Sequence, residues 1–336
     1  PEYNGGGMDT ISYVLAMEEI SKVDSSCSVI MSVNNSLVCW GLETFGTEEQ
    51  KQKYLTKLAA GEIIGSFCLS EPEAGSDATS QRTTAIDMGD HYILNGTKNW
   101  ITNGGKSSIH LVIAQTYPEK GHRGINALIV ETAWDGVVIG AKEDKLGIRA
   151  SDTHTIMYND VKVPKSNRIG EDGFGFKFAM KVLSGGRIGI AAQALGIAAG
   201  AYELAVKYSK EREAFGKPIS QHQAIAFKLA DMATEIEAAR LLVYRAAWMK
   251  DQGMDYTSAA AMAKLFASEV AMRHTVEAVQ VHGGYGYVKE YHVERLMRDA
   301  KITQIYEGTS EMQRVVISRN ILSGQLYEPL WKTANV

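Results

Sequence analysis

The spacing of apolar residues changes twice along the chain, and this change limits the folds that the sequence can adopt. Between Met8 and about Ala60 the apolar residues recur at helical spacing, which predicts three helices. Short β-rich runs separated by turn residues follow from Ile63 to about Pro164, and helical spacing returns after Gly170. The sequence therefore predicts an α+β protein with a β domain between two helical domains in chain order.

Capping residues mark the starts of several predicted helices. Thr47 with Gln50 three residues later predicts a capping box, and Gly61 ends that helix. Ser220 with Gln223 predicts a second capped start. In the last segment we expect long helices over 174–211, 220–251, 256–281 and 309–322, and a shorter helix near 290–301.

The central segment contains five short β-rich runs. The pairs Asn95–Gly96 and Asp135–Gly136 are typical of hairpin turns. The predicted strands are Ile63–Leu69, His91–Leu94, Ile109–Gln115, Ala127–Val130 and Thr155–Tyr158. With the flanking helical segments, they predict domains over residues 1–62, 63–170 and 171–336.

Composition and charge argue against several classes of protein. The chain has 35 Lys and Arg residues against 39 Asp and Glu, with no basic cluster that could follow a nucleic acid backbone. The apolar stretch Ile188–Tyr202 is shorter than the roughly 20 residues that span a bilayer, so it predicts a buried helix and no membrane span. The three cysteines have no C-x-x-C spacing, so disulfide and zinc chemistry have no support. The sequence also lacks P-loop, Rossmann and nucleophile-elbow motifs, so a nucleotide-binding loop and serine-hydrolase chemistry have no support either.

Two motifs in the central segment are candidates for ligand binding. Residues 68–77, C-L-S-E-P-E-A-G-S-D, follow a strand, and Ser70, Ser76 and the loop amides could bind anionic or carbonyl oxygens. Trp100 lies two residues before Thr102, so the ring and the hydroxyl could flank a flat heterocycle. An ordinary turn after a strand and a tryptophan in the core are the alternatives.

Two further motifs lie in the last third of the chain. Residues 280–287, Q-V-H-G-G-Y-G-Y, end a helix, and their glycines either admit a ligand or subunit or simply terminate the helix. Glu307 precedes a helix start at which Ser310 and Gln313 predict a capping box. Glu307 is therefore either a surface residue favoured by the helix dipole or a group that faces a substrate.

Together these motifs closely resemble the acyl-CoA dehydrogenase family, which carries C-L-S-E-P-E-A-G-S-D, W-I-T-N, Q-V-H-G-G-Y-G-Y and I-Y-E-G-T-S-E in this order. The resemblance covers essentially the whole chain, and Gly185–Gly189 and Met297–Ile302 most resemble the short-chain or butyryl-CoA branch. It implies a truncated N-terminal helical domain, a middle β-barrel or sandwich domain and a C-terminal four-helix bundle.

The resemblance also implies FAD, bound without a Rossmann fold. The residues that would line the flavin and its pyrophosphate are Phe67, Leu69, Ser70, Gly75, Ser76, Trp100, Ile101 and Thr102, with Ser70 near the pyrimidine edge and Thr102 near N5. Those that would reach the flavin of a neighbouring subunit are Arg212, Gln223, Gln280, Gly283 and Gly284. Phe215 is a further cofactor-binding residue, and Thr309 and Glu311 would complete the site.

The implied reaction is the α,β-dehydrogenation of an acyl-CoA thioester to a trans-2-enoyl-CoA. Glu307 matches the family's catalytic base, and burial must raise its pKa for this task. Some relatives place the base just before the arginine of an earlier helix, but that position here is Gly186. The polarisation of the thioester carbonyl would come from the backbone amide of Glu307 and a flavin hydroxyl.

Substrate contacts are implied at Ser76, Ser184, Arg187, Tyr306 and Gly308. Close relatives commonly have Asp where this chain has Ser184, a departure that affects the implied substrate contact at this position but not the base. Bulky residues around the implied acyl slot, Met31, Val33, Leu37 and Leu183, predict straight acyl chains of about four to six carbons, because each excluded methylene forfeits burial.

The family's partners and location complete the expectation. They are an electron-transferring flavoprotein as electron acceptor, a homotetramer built as a dimer of dimers, and the bacterial cytoplasm, or the mitochondrial matrix if the source is eukaryotic, with the cytoplasm favoured. Two alternatives stay open: a flavin oxidase or monooxygenase on the same fold, and a non-catalytic scaffold that binds acyl-CoA.

Overall fold

The computed structural model describes residues 1–324 of the chain. They divide into two compact units. The first unit holds Pro1–Met8 and Ser26–Gly186, and the second holds Asp9–Ser25 and residues 187–324. The three domain boundaries expected from the sequence stay a prediction.

The three helices expected before residue 60 are present, and two of them contain π-helical turns. The first is α1 (Thr10–Val23); the second consists of α2 (Ser25–Ser32), a π-helical segment (Val33–Cys39) and α3 (Trp40–Phe45); the third consists of α4 (Glu48–Gln50), a π-helical segment (Lys51–Leu55) and α5 (Thr56–Ala59). The predicted capping box is confirmed. Gln50 N donates to Thr47 Oγ1 at 3.3 Å, and Thr47 N donates to Gln50 Oε1 at 3.1 Å.

A seven-stranded sheet lies in the first unit. Its strands are β1 (Gly65–Cys68), β2 (Thr84–Asp87), β3 (His91–Thr102), β4 (Ile109–Gln115), β5 (Ile125–Glu131), β6 (Val137–Lys142) and β7 (Thr153–Pro164). Their order is β1-β4-β2-β3-β7-β6, and β5 also pairs with β4. Only β1 and β2 run parallel to β4, and the remaining pairs are antiparallel. Tyr92, Leu94, Val112, Leu128 and Val163 are fully buried in the sheet's core.

The hairpin turn predicted at Asn95–Gly96 is wrong, because the pair lies inside β3 at a bulge. Gly96 has a φ of +145°, and a Cβ there would lie 2.5 Å from Thr83 Oγ1, so the close approach of the chain before β2 requires glycine. Asn95 Nδ2 donates to Asp160 Oδ1 on β7 at 2.9 Å. The turn that joins β2 to β3 instead contains Gly89, with a φ of +97°.

The Asp135–Gly136 pair forms a turn, but the predicted hairpin is wrong. The turn joins β5 to β6, whereas β5 pairs with β4 and β6 pairs with β7. Gly136 has a φ of +87°, and a Cβ there would lie 2.1 Å from the carbonyl oxygen of Asn159. The dipeptide therefore indicates the local backbone conformation but not which strands pair.

The second unit is helical. Besides α1 it contains the C-terminal part of α6 (Gly175–Glu211), α7 (Gln223–Asp251), α8 (Thr257–His282), α9 (Val293–Ala300), α10 (Ser310–Leu322) and a small hairpin of β8 (Glu213–Ala214) and β9 (Lys217–Pro218). Helix α8 packs against α7, α9 and α10, and α1 packs against α7. The long helices expected in this segment are confirmed to within three residues at each end.

Two of the three predicted helix caps are wrong. Ser220 lies in a short 3-10 turn before α7, and His222 occupies the capping position without a side-chain bond to the helix. At α10 the cap is Thr309, whose hydroxyl accepts the backbone N–H of Met312 at 3.3 Å, and not Ser310. The path of the chain before a helix decides which hydroxyl faces the free amides of its first turn.

Helix α6 confirms the predicted buried apolar helix. It has 37 residues and is long and apolar enough to cross a membrane by length and composition, but 83% of its most apolar window is buried inside the protein. A Cβ at Gly196 would lie 2.3 Å from Glu18 O, and one at Gly200 would lie 2.4 Å from Lys22 O. These small residues therefore let α1 approach α6 closely.

Candidate active site

Glu307 lies in the short connection between a 3-10 turn (Lys301–Gln304) and α10. Glu307 has a φ of +52° and Gly308 a φ of +91°, so both residues are in the left-handed region. For a residue with a side chain this conformation costs about 1 kcal/mol or more. The surrounding structure must hold this turn in place.

Two side chains hold the turn through one carbonyl. Lys264 Nζ on α8 and Gln313 Nε2 on α10 each donate to the Gly308 oxygen at 2.7 Å. Gln313 was expected to form a capping box with Ser310, but it binds this carbonyl instead. Ser310 is buried, and its hydroxyl has no hydrogen-bond partner among the described residues.

Lys264 is a site residue that sequence reasoning missed. It is fully buried, and burial lowers the pKa of its ammonium to about 8, although Glu307 acts to raise it. The sequence contained a signal for it, because this lysine lies in an alanine-rich helical stretch. The alanines around it are buried: Ala260, Ala261, Ala263 and Ala267. A lysine in such surroundings is seldom fully buried without a partner.

The carboxyl group of Glu307 is buried and incompletely bonded. Its Oε2 has no hydrogen-bond partner among the described residues. Burial raises the pKa of Glu307 to about 7, while the positive charges of Lys264 and Arg187 act to lower it. A carboxyl group with this pKa is partly ionised near neutral pH and can accept a proton there.

The second unit brings Arg187 and Tyr306 to the surroundings of Glu307. Arg187 is half-buried on α6, its Nε has no hydrogen-bond partner among residues 1–324, and burial lowers its pKa. Tyr306 donates its hydroxyl to Gln193 Oε1, and Gln193 Nε2 donates to Ser25 O at 2.8 Å. Burial raises the pKa of Tyr306 well above its usual value, so the phenol stays neutral.

Two other residues predicted for the site are Ser184 and Glu311. Ser184 belongs to the first unit, and its hydroxyl donates to Met180 O of its own helix at 2.9 Å. Glu311 is exposed in the first turn of α10, where its charge favours the helix N-terminus.

In the first unit, the predicted flavin residues come together where β1 and β3 end. Asn99 N donates to Ser70 O at 2.9 Å, which fixes the loop after β1 beside Trp100. Trp100 has a φ of +62° at a bulge in β3, and 63% of its surface is exposed, so it is not a core residue. Ile101 is buried in the sheet, and Thr102 is half-buried.

A buried ion pair that the sequence analysis did not single out holds this loop. Lys98 Nζ on β3 donates to Glu71 Oε1 at 2.7 Å and to Leu69 O at 3.0 Å. Glu71 also accepts the backbone N–H groups of Arg82 and Thr83. Lys98 therefore attaches the start of the loop to β3, and Glu71 joins the start of the loop to its end.

The remaining residues of the loop differ in exposure. Phe67 is half-buried on β1, and Leu69 is buried. Gly75 and Ser76 are exposed at the loop's tip, and nothing lies within 4 Å of a Cβ built at Gly75. The tip therefore presents free backbone to solvent.

A cleft of about 700 Å³ in the second unit gathers three of the predicted cofactor residues, Arg212, Gly283 and Gly284. The ring of His282 stacks on Tyr208 at 4.2 Å between centroids, and nothing lies within 4 Å of a Cβ built at either glycine. Three further residues do not line this cleft: Phe215 is 96% exposed in the tight turn of the β8–β9 hairpin, and Gln223 and Gln280 are exposed.

Each unit by itself offers a surface that fits one part of an aromatic dinucleotide. An exposed indole beside a half-buried threonine hydroxyl suits a flat ring, and open glycine backbone with an arginine suits a pyrophosphate. Among residues 1–324, no group of three or more His, Cys, Asp and Glu residues could hold a metal ion.

Three family models match the chain. They are described as acyl-CoA dehydrogenase N-terminal domain over residues 1–62, middle domain over 66–161 and C-terminal domain over 173–322. Proteins of this family are flavoproteins.

Two curated relatives are about half identical to the chain. A protein named acyl-CoA dehydrogenase, short-chain specific, from Clostridium acetobutylicum is 54% identical, over 95% of this chain and 84% of the relative. The human protein named short-chain specific acyl-CoA dehydrogenase, mitochondrial, is 51% identical, over 96% of this chain and 78% of the relative.

Two solved structures are similar along nearly the whole chain. The butyryl-CoA dehydrogenase of Megasphaera elsdenii has a TM-score of 0.94 and 52% identity, over 96% of this chain and 85% of that one. A structure described as electron transferring flavoprotein of Acidaminococcus fermentans, towards a mechanism of flavin-based electron bifurcation, has a TM-score of 0.95 and 55% identity, over 96% and 84%. With the family models and the placement of Glu307, these likenesses show that the chain belongs to the acyl-CoA dehydrogenase family.

Proposed function

We propose that this chain catalyses the FAD-dependent α,β-dehydrogenation of a short-chain acyl-CoA thioester, with Glu307 as the base that takes the α-proton. The observation that carries the proposal is the Glu307 carboxyl group, whose buried Oε2 is unbonded among the described residues and whose pKa is raised to about 7. The names of the short-chain relatives support the substrate class.

The protein's own part in the reaction is proton transfer and orientation. The ionised Glu307 carboxylate would accept the α-proton of the thioester, and the backbone N–H of Glu307 would donate to the thioester oxygen and so acidify that proton. Burial disfavours the charged form of Glu307, so proton uptake relieves this cost. Tyr306 donates its hydroxyl to Gln193 and stays neutral.

Bound FAD would supply the acceptor for the β-hydride. We propose that Ser70, Trp100 and Thr102 of the first unit hold the flavin end of FAD. Gly75 and Ser76, at the tip of the loop after β1, would take part in the same contact. In the second unit, Arg212, Gly283 and Gly284 would contact the FAD that a neighbouring subunit holds. Phe67, Leu69 and Ile101 would support the flavin residues, and Phe215, Gln223, Gln280, Thr309 and Glu311 stay further candidates.

The direct test is a visible absorption spectrum of the purified protein, followed by anaerobic addition of butyryl-CoA. We expect a flavin spectrum that bleaches on addition. A colourless but correctly assembled protein would favour the acyl-CoA-binding scaffold, and turnover that requires oxygen would favour an oxidase or monooxygenase.

We also propose a homotetramer built as a dimer of dimers. Phe215, 96% exposed in the turn of the β8–β9 hairpin, and Tyr287, 85% exposed after α8, are large apolar groups left uncovered in one chain. Covering them is favourable. Sedimentation should give a tetramer, and a monomer that holds stoichiometric FAD would contradict this.

We further propose an electron-transferring flavoprotein as acceptor and a cytoplasmic location. The 55% identity to the structure that carries the flavoprotein's name supports the acceptor. Reduced enzyme should be reoxidised by this flavoprotein far faster than by oxygen. Fractionation of the native cells would test the location.

The substrate length is proposed as about four to six carbons, because each further methylene that cannot be buried forfeits about 0.8 kcal/mol. Val33 and Leu37 are buried in the π-helical part of the second helix. Comparing kcat/KM for butyryl-, hexanoyl-, octanoyl- and isobutyryl-CoA tests this. An optimum on octanoyl- or isobutyryl-CoA would contradict the proposed slot.

A further inference from the structure

Lys264 is a buried cation near Glu307, and the proposed reaction gives it no part. Its side chain is fully buried on α8, and its Nζ donates to the Gly308 carbonyl at 2.7 Å. That carbonyl belongs to the residue directly after Glu307. The ammonium therefore holds the backbone of the turn that carries the base.

This hydrogen bond stabilises a strained backbone turn. Glu307 and Gly308 are consecutive left-handed residues, with φ values of +52° and +91°. Gln313 Nε2 donates to the same carbonyl at 2.7 Å, so two donors from α8 and α10 converge on it. A turn held from two helices keeps Glu307 in one orientation despite its backbone strain.

The ammonium also places a positive charge beside the carboxyl group. Several charged or titratable groups surround Glu307 from the elements packed against it: Lys264 on α8, Arg187 on α6, Tyr306 in the preceding turn and Glu311 on α10. Tyr306 is neutral and bonded to Gln193, and Glu311 is exposed. Of the residues that the structure describes, Lys264 and Arg187 are therefore the two cations that favour the ionised base.

The two cations differ in how they are held. Arg187 is half-buried, and its Nε has no hydrogen-bond partner among the described residues. Lys264 is fully buried and anchored to the turn itself. A change at Lys264 therefore alters both the orientation and the ionisation of Glu307.

We propose that Lys264 is a positioning residue for the base: its ammonium fixes the Glu307–Gly308 turn and supplies the positive charge against which the Glu307 carboxylate ionises. This inference rests on the proposed function, because it assigns Lys264 a part in preparing that same base. Lys264 is buried and bonded to the Gly308 carbonyl, so we assign it an action through the turn that carries Glu307.

The test replaces Lys264 in the FAD-loaded protein. Lys264→Met and Lys264→Gln remove the charge, and Lys264→Arg keeps it. The matched control is Lys228→Met, which removes a half-buried lysine paired with Glu277 elsewhere in the helical unit. The rate of flavin bleaching by low concentrations of butyryl-CoA is measured between about pH 5.5 and 9, because its acid limb reports the base in the free enzyme.

We expect the acid limb to move to higher pH by about one unit or more in both neutral variants, because a nearby cation lowers the pKa of a carboxyl group. Lys264→Arg should return the limb close to its wild-type position, and Lys228→Met should leave it there. Equal rate losses at every pH, with an unmoved acid limb in Lys264→Met and Lys264→Gln, would overturn the proposal and leave Lys264 a purely structural residue.

A second readout does not need turnover. Infrared difference spectra between each protein and its Glu307→Gln counterpart isolate the Glu307 carboxyl band, whose titration should shift upward in Lys264→Met as the acid limb does. An unshifted band would overturn the proposal. If wild-type flavin is not bleached by butyryl-CoA, the proposed function fails, while the infrared titration still decides the part of Lys264.

Discussion

Glu71 and Glu307 both have carboxyl oxygens that are withdrawn from solvent, and their surroundings have opposite effects. Glu71 accepts bonds from Lys98 Nζ and from the backbone N–H groups of Arg82 and Thr83, and its pKa lies below its usual value because these partners outweigh burial. Glu307 has a buried oxygen that is unbonded among the described residues, and its pKa is raised to about 7.

The difference separates a structural charge from a reactive one. Lys98 and Glu71 are bonded to each other, so the pair fixes a loop and resists protonation. The cations near Glu307 lower its pKa only in part, and Lys264 bonds to a carbonyl instead. A carboxyl group that is buried but not fully satisfied is suited to gain a proton.

Breaking the structural pair should have the largest effect on folding. Lys98→Met leaves Glu71 buried without its cation and should lower the free energy of unfolding by about 3 to 5 kcal/mol. Adding Glu71→Gln should recover part of this loss, because the uncompensated charge is removed.

The control is a more exposed ion pair, in which Lys53 Nζ lies 2.8 Å from Glu131 Oε1. Lys53→Met should cost less than about 1 kcal/mol. Urea unfolding of the three variants checks both values. A loss in Lys98→Met no larger than that in Lys53→Met would show that the buried pair is not structural.

The reactive carboxyl group should make stability depend on pH. Folding raises the pKa of Glu307 from its ordinary 4.5 to about 7, so it contributes stability that is full below about pH 4.5 and is lost as the pH rises through about 7. The glutamine of Glu307→Gln cannot ionise. As the pH rises from about 5 to 8, the free energy of unfolding of this variant should therefore increase by about 2 kcal/mol relative to that of the wild type. Urea unfolding at both pH values measures this, and a constant difference would contradict the raised pKa.

The smallest expected effect concerns the helix that follows the base. Thr309 caps α10, with its hydroxyl accepting the Met312 N–H at 3.3 Å. Thr309→Ala should cost about 1 kcal/mol of unfolding free energy, whereas Ser310→Ala should cost less, since its hydroxyl caps nothing. Thermal unfolding of both variants decides which residue is the cap, and equal losses would contradict the assignment.

Helical segments were predicted well because their signal is local. The spacing of apolar residues placed α6 and α8 within one residue at each end, and Thr47 with Gln50 identified a real capping box. Ser220 and Ser310 failed as caps because the choice between neighbouring hydroxyls depends on the path by which the chain enters the helix.

The sheet and part of the site depend on distant contacts that a single sequence does not display. Asn95–Gly96 has the composition of a hairpin turn, yet Gly96 is required by the approach of Thr83. Glu307 was identified through its motif, whereas Lys264, 43 positions earlier in an alanine-rich helix, meets it only in the fold. Residues that share a site from separate elements are therefore the part that sequence reasoning misses most easily.

The most direct test of the central claim is the single-turnover reduction of flavin by butyryl-CoA in Glu307→Gln, with FAD content measured on the same sample. The amide keeps the shape of the side chain but cannot take the proton, so the variant should hold FAD normally and reduce it about 10³-fold more slowly or worse. Near-normal bleaching in the variant would contradict the assignment and move the base to another residue.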